Sequence, residues 1–319
     1  MKCRMCNAQA VINMRQHKLA LCKDHYPQWI IAQTQRFIEK YHMFTHQERI
    51  LVAVSGGKDS LSLWDILWQL GYHADGIYIG LGIDGGVQYS DRSHQLCVQF
   101  AQQRGLQLIA VNVPETYGMS IPELAANTHR GKQKPCSVCG LTKRHIMNQV
   151  ALDGGYDVLV TGHNLDDEAA TLFGNTLNWN VGYLQRQSPV LPARHPGLVR
   201  KAKPLCRFYE REMAAYALVR GIEYIYDECP YAVGSTSIYY KELLNQLEQE
   251  RPGAKLSFYL SFLQAKEKDL FSHPGDEENG DGENLGAGGE PLYTCPSCGQ
   301  PTTVQGLCSF CRMVQKISR

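Results

Sequence analysis

The chain has 319 residues, a hydrophobic share of 44% that is ordinary for a globular protein, and a formal net charge of +1, enough for one large α/β domain with small modules attached. No apolar run approaches a membrane span and the opening residues, MKCRMC, carry no signal-peptide core, so a cytoplasmic location is expected. Twelve cysteines in that setting read as metal ligands or catalytic thiols rather than disulfides.

Taken in chain order, the first signal is metal-like. Cys3, Cys6, Cys22 and His25 form two close pairs of ligands, the arrangement that completes a closed tetrahedral zinc site. A segment this short cannot bury a core of its own, so metal would supply its folding energy. Residues 29–41 then place Ile30, Ile31, Phe37, Ile38 and Tyr41 at helical spacing, which predicts a connecting helix. Residues 50–54 predict a strand, and the run Ser55-Gly56-Gly57-Lys58-Asp59-Ser60 follows it directly, ahead of a helix over 61–70. Two glycines let backbone amides approach a ligand, the helix start adds a positive dipole end, and Lys58 adds a point charge. This is not the ATPase phosphate loop, since Val52 and Asp59 stand where that loop needs Gly and Ser or Thr. The pattern suits a loop for the pyrophosphate of ATP cleaved between its α- and β-phosphates. Strands are further predicted over 76–81, 107–113, 157–161 and 222–226, with helices over 90–104, 141–150 and 209–220. The alternation argues a doubly wound, mostly parallel sheet, an α/β fold in which ligands sit at the carboxyl ends of strands. Residues 243–247 and 256–270 predict covering helices.

Residues 272–291 carry six acids and no Lys or Arg, which leaves +7 on the remainder. Gly-rich and almost without bulky apolar side chains, this stretch predicts a flexible linker, and the mildly basic body suits an anionic partner such as RNA. Beyond it, Cys295, Cys298, Cys308 and Cys311 give a second closed set of four. The expected division is a zinc finger over 1–28, a connecting helix over 29–48, a catalytic domain over 49–271, the linker over 272–291 and a zinc ribbon over 292–319.

Three internal cysteines, Cys136, Cys139 and Cys229, lie near predicted strand or loop ends and should converge near the nucleotide. Three thiolates fit a [4Fe–4S] cluster with one iron free of protein ligands, a redox pair plus a persulfide carrier, or a third zinc with another ligand. Lys134, Lys143 and Arg144 nearby would favour their ionisation. Cys97 and Cys206 read as buried or half-buried thiols. Asp166, Asp167 and Glu168 at a predicted helix start serve either as caps or as Mg²⁺ ligands or a general base. Basic stretches at His129, Arg130, Lys132, Lys134, Lys143 and Arg144, and again at Arg194, Arg200, Lys201, Lys203 and Arg207, are either phosphate contacts or ordinary solvated surface.

Together the two terminal metal sets, residues 55–60, the Cys136/Cys139 pair, residues 162–168 and Cys229 resemble the TtuA-type tRNA 2-thiouridine synthetases over nearly the whole chain. The resemblance implies ATP-dependent adenylation of the C2 oxygen of a uridine in tRNA and its replacement by sulfur, with position 54 of the T-loop the expected uridine and wobble position 34 the alternative. It implies that Ala53, Ser55, Gly56, Gly57, Lys58, Asp59 and Ser60 bind ATP with Mg²⁺, that Ile79 lines the adenine side, and that Gly162 and Asp167 close the nucleotide site. It further implies that Cys136, Cys139 and Cys229 hold a [4Fe–4S] cluster, that Lys143 and Asp167 assist catalysis, and that the terminal sets hold two zinc ions. A ubiquitin-like thiocarboxylated sulfur carrier and a homodimer are the implied partners. The rival classes are another pyrophosphate-loop enzyme, such as a lysidine synthetase or a two-thiocytidine enzyme, and a non-catalytic zinc-ribbon scaffold for RNA. The three internal cysteines argue against a lysidine synthetase, which needs no sulfur chemistry, and with the intact Lys58 and Asp59 against the scaffold.

Overall fold

The computed structural model describes residues 1–128, 135–232, 234–268 and 291–317. All but the last residue of the acidic stretch, and the basic residues His129, Arg130, Lys132 and Lys134, lie outside them. The first elements are a short hairpin of β1 (Ile12–Met14) and β2 (Leu19–Leu21), then helix α1 (His25–Lys40). The body runs β3 (Ile50–Val54), α2 (Lys58–Gln69), β4 (Ala74–Gly80), α3 (Tyr89–Arg104), β5 (Leu108–Asn112), α4 (Val113–Tyr117), α5 (Ile121–Ala126) and α6 (Pro135–Asp153). It continues with β6 (Val158–Thr161), α7 (Leu165–Leu177), α8 (Val181–Arg186), β7 (Val190–Leu191), β8 (Arg200–Ala202), α9 (Glu210–Val219), α10 (Thr236–Glu250) and α11 (Ala254–Glu267). A second hairpin, β9 (Tyr293–Thr294) and β10 (Pro301–Thr302), and helix α12 (Ser309–Ile317) form the last module.

The central sheet has the order β5-β4-β3-β6-β8-β7, parallel except for the edge strand β7. Strand succession runs outward from β3 to β5 on one side and then returns to β6 on the other, so β3 and β6 flank the switch point where α/β sheets bind ligands. The doubly wound, mostly parallel sheet expected from the alternation is thus the observed fold. One strand is not. Residues 222–226 join no ladder, because the Ile225 amide donates to the carbonyl of Gly56 at 2.8 Å and Ile222 packs into the core instead. The far flank of the sheet is taken by β8 and β7. The helix expected from residue 141 begins at Pro135, which puts Cys136 and Cys139 in its first turns.

Two cores sandwich the sheet. On one face α2 is buried through Ser60–Leu67, and Trp64 lies so close over β4 that a Cβ on Gly76 would stand 2.5 Å from its ring. The N-terminal module joins this core through Met14, Leu21 and Tyr26, whose hydroxyl donates to the Glu212 carbonyl at 2.6 Å. On the other face α6 contributes Val138 and Ile146, and the C-terminal module adds Cys295, Cys308, Phe310 and Met313. Among the described residues no helix is long and apolar enough to cross a membrane.

One fully buried carboxylate ties α2 to α3 and α9. Asp65 accepts from Arg104 and Arg220, each at 2.9 Å, and from the Tyr216 hydroxyl at 2.7 Å. Asp65→Ala would strand a buried hydroxyl and two guanidinium groups. It is expected to lower unfolding stability by about 3–5 kcal/mol, read as a shift of the denaturant midpoint at constant slope.

Candidate active site

At the switch point the carboxyl ends of β3, β4 and β6 open into a cavity of about 400 Å³. Ala53, Ser55, Gly57, Asp59 and Ser60 line it from the β3 loop, Ile79 from β4, and Gly162 and Asp167 from the β6 loop; Lys143 enters from α6. The loop shape follows from its residue types. Gly56 is left-handed at φ 73°, and a Cβ there would fall 2.6 Å from the Ser93 carbonyl oxygen. Ser60 Oγ accepts from the Ser55 amide at 3.1 Å and donates to the Gly57 carbonyl at 3.0 Å, closing the turn. The first-turn amides of α2 have no intrahelical acceptor and sit at the positive end of its dipole, the setting for a phosphate. The β6 loop presses onto this turn, and a Cβ on Gly162 would lie 2.9 Å from the Ser60 nitrogen.

The run Asp166, Asp167 and Glu168 points three ways, as consecutive helix positions must. Asp166 is buried, paired with Lys255 at 2.5 Å, and accepts from the Glu210 amide. Glu168 is buried against Lys203 at 2.8 Å. Asp167 alone faces the cavity. It also caps α7 through a reciprocal bond with Asn164, so the capping and cavity readings hold for one residue. Asn164 in turn donates to Asp59 at 3.1 Å, linking the two loops. Burial raises the Asp59 pKa, against the pull of Lys58.

Lys58 and Gly56 are not among the lining residues. Lys58 Nζ lies 2.7 Å from Glu210 and 3.2 Å from Asp59. Glu210 and Lys241 escaped the sequence reading, for no motif marks them. Lys241 bridges Asp167 at 2.6 Å and Glu210 at 3.3 Å, and despite burial these two carboxylates raise its pKa. Tyr89, Tyr78 and His163 also line the cavity without having been singled out. His163 bonds Thr161 at 2.7 Å, and desolvation within the cleft lowers its pKa although its outer edge is open to solvent.

The internal cysteines stand beside this cavity. Cys136, Cys139, Lys143 and Met147 fall on one stripe of α6, and the last two line the cavity. Cys136 Sγ lies 3.4 Å from the Tyr231 carbonyl, two residues past Cys229. Burial raises the Cys139 pKa, Lys143 opposes, and Cys229 and Cys136 raise it further, which places all three thiols in one neighbourhood. Tyr89 borders both regions, since burial and then the charges of Cys229 and Cys139 raise its pKa. The three do not form a single-ion set among the described residues. Cluster cysteines each bind a different iron and so stand wider apart than the ligands of one ion; Cys139 and Cys229, half-buried on apolar ground, with Cys136 exposed beside them, fit that donor chemistry.

The terminal sets do form single-ion groups, their four ligand atoms lying within 4.8 Å of one another in each. In the first, His25 Nδ1 is 3.3 Å from Cys22 and 3.7 Å from Cys3, and His25 opens α1. In the second, Cys298 and Cys308 are 3.8 Å apart, and amides donate to Cys295 and Cys308. Both could hold zinc, and four protein ligands leave no open position. The C-terminal module is braced on α6, with Phe310 stacked on His145 at 3.9 Å and Gln300 donating to the His145 carbonyl at 3.0 Å.

A strand, a glycine loop and a helix start at the switch point of a parallel sheet define a nucleotide enzyme of the PP-loop class, and residues 28–233 match the PP-loop domain family. Residues 2–27 match the N-terminal LIM domain of 2-thiouridine synthetase TtuA. The tRNA-5-methyluridine(54) 2-sulfurtransferase of Thermus thermophilus is 47% identical over 100% of this chain and 92% of its own length. That of Thermotoga maritima is 40% identical over 100% and 98%. The U34-tRNA thiolase NcsA from Methanococcus maripaludis, solved with its [4Fe-4S] cluster, shares the fold with a TM-score of 0.78 at 23% identity, over 99% of this chain and 96% of that one. The chain belongs to the TtuA family of PP-loop tRNA 2-sulfurtransferases.

Lys241 is the cation that holds Asp167 at the cavity wall. With Lys241→Met, Lys58 is the ion-pair partner left to Glu210 among the described residues and is held there more strongly, away from the cavity. ATP affinity measured by titration calorimetry is expected to fall on the order of tenfold, the scale of a lost charge-assisted bond.

Proposed function

We propose that the protein replaces O2 of a uridine in tRNA by sulfur, at position 54 of the T-loop, at the expense of ATP cleaved to AMP and pyrophosphate. The observation that carries this reading is the α6 stripe, which runs from Cys136 and Cys139 to Lys143 at the nucleotide cavity. Thiol chemistry and adenylation thus share one helix face. The choice of uridine is supported by the names of the relatives at 47% and 40% identity.

ATP lies in the cavity with its adenine on the Ala53 and Ile79 side and its phosphates, with Mg²⁺, over the β3 loop. Uridine O2 attacks the α-phosphate and pyrophosphate leaves, its charge held by the loop amides and by Lys58 released from Glu210. Sulfur arriving from the cysteine side then attacks C2, and AMP departs with the former uridine oxygen. Lys143 and Asp167 border the reacting atoms and assist both steps. Cys136, Cys139 and Cys229 would hold a [4Fe–4S] cluster, which would supply a binding position for inorganic sulfur. The terminal sets would hold two structural zinc ions. Family membership supports a ubiquitin-like carrier with a C-terminal thiocarboxylate as the sulfur source, a homodimer, and a cytoplasmic setting. Because C2 of a T-loop uridine is enclosed by folded RNA, the base must leave its stack to enter the cavity.

Mass spectrometry of tRNA nucleosides from a deletion strain tests the uridine. Loss of 2-thiolation at position 54 is expected; loss at position 34 alone would overturn that assignment. Cys136→Ala, Cys139→Ala and Cys229→Ala should each abolish thiolation and lower bound iron while zinc stays near two per chain, measured by metal analysis of anaerobically purified protein. Iron and activity retained in one variant remove that cysteine from the ligand set. Lys58→Ala should slow tRNA-dependent pyrophosphate release by about a hundredfold or more without loss of iron, the scale of removing a charge-stabilising donor.

A further inference from the structure

Cations collect at the β7–β8 edge of the sheet. Lys201 sits mid-strand in β8, in register with Leu159 of β6 and Leu191 of β7. Residues in register share a face, and Leu159 belongs to the core beneath α6, so Lys201 emerges on the α6 side. There it meets Arg144 of α6 and Arg186 of α8; burial first, and then these two like charges, lower its pKa to about 8. Lys266 of α11 is held in the same way, with its pKa lowered by burial and then by Arg194 and Lys203. Among the described residues the ion pairs of this region are Lys203 with Glu168 and Arg200 with Glu48, and neither Lys201 nor Arg186 takes part in one. Cations gathered against burial and mutual repulsion favour an external polyanion.

A second observation adjoins it. At the corner between α7 and α8, Trp179 is 72% exposed and Tyr183 63% exposed. Trp179 holds a left-handed backbone at φ 47°, an uncommon state for a bulky residue, with its ring largely in solvent. Tyr183 lies one helical turn before Arg186 on α8. Rings open to solvent beside a group of cations suit RNA, whose phosphates take the charges and whose unpaired bases take the rings.

We propose that this edge docks the RNA substrate, with Lys201, Arg186 and Arg144 on successive phosphates and Trp179 and Tyr183 stacked on bases outside the helical stems. It rests on the reading of the chain as a tRNA enzyme. The edge leads to the active site, because Arg144 follows Lys143 at the cavity and β8 pairs with β6, whose last residue Thr161 lines it. A strand held here would be led toward the uridine pocket.

Filter binding of a tRNA transcript by the full chain at several salt concentrations tests it, with ATP titration of each variant as the check on folding. Lys201→Gln with Arg186→Gln should weaken tRNA binding about tenfold or more and reduce the salt slope by about 1.5, the share of two lost phosphate contacts. Trp179→Ala, on the open surface, should weaken binding about fivefold or more with the slope unchanged, as a lost stack does. Parent-like affinity and slope in ATP-binding forms of both variants would overturn the surface. Failure of the parent protein to bind tRNA would overturn the functional reading and the surface with it.

Discussion

The pairing of β3 with β6 is the constraint on which the site depends. Parallel register sets Ala53 beside Thr161, so the loops that follow the two strands leave the sheet side by side. Nothing larger than hydrogen fits on Gly162 where it crosses the first turn of α2, and Asn164 of one loop bonds Asp59 of the other. A phosphate cradle on its own is a common device. Here it is locked to a second loop that brings an aspartate and a histidine to the same opening, and α6 closes the third side.

Electrostatics then decides which charged groups are available. Five charges, Lys58, Lys241, Asp59, Asp167 and Glu210, lie in one connected network with a formal sum of −1. On the proposed reading, a triphosphate entering the cavity competes with Glu210 for Lys58, and Lys241 remains to neutralise the carboxylates left behind. Ligand binding therefore exchanges one ion pair for another, which limits the net gain from the charge but makes the lysine's position depend on the nucleotide.

Much of this was legible in the sequence, and the exceptions have physical causes. The glycine loop, the alternation of elements and both terminal metal sets were readable from local spacing, while the resemblance to a known family is what pointed to Ile79, Lys143, Gly162 and Asp167, which line the cavity. Residues 222–226 have strand-like composition, yet their amide is claimed by the Gly56 carbonyl, a partner 169 residues away that no local pattern reveals. The start of α6 was set too late, since Pro135 in a first turn is as compatible with a helix as with a loop. The short α5 carried an overlooked signal in Ser120 and Glu123, a reciprocal cap with Pro122 in the first turn. Glu210 and Lys241 were invisible for a different reason. Charged residues on amphipathic helices look solvated until the tertiary fold turns them inward.

The brace between the C-terminal module and α6 has a kinetic consequence. Gln300 and the His145 carbonyl are joined across 155 residues, and Phe310 stacks on the same histidine. Closing so long a loop is slow, and the contact can form only after residues on both sides of it have been synthesised. Until then one side of the helix bearing Cys136 and Cys139 lacks its apolar cover. The face of α6 turned away from the cysteine stripe is thereby covered late in the life of the nascent chain, after the loops that follow β3 and β6 have met through Gly162 and Asn164.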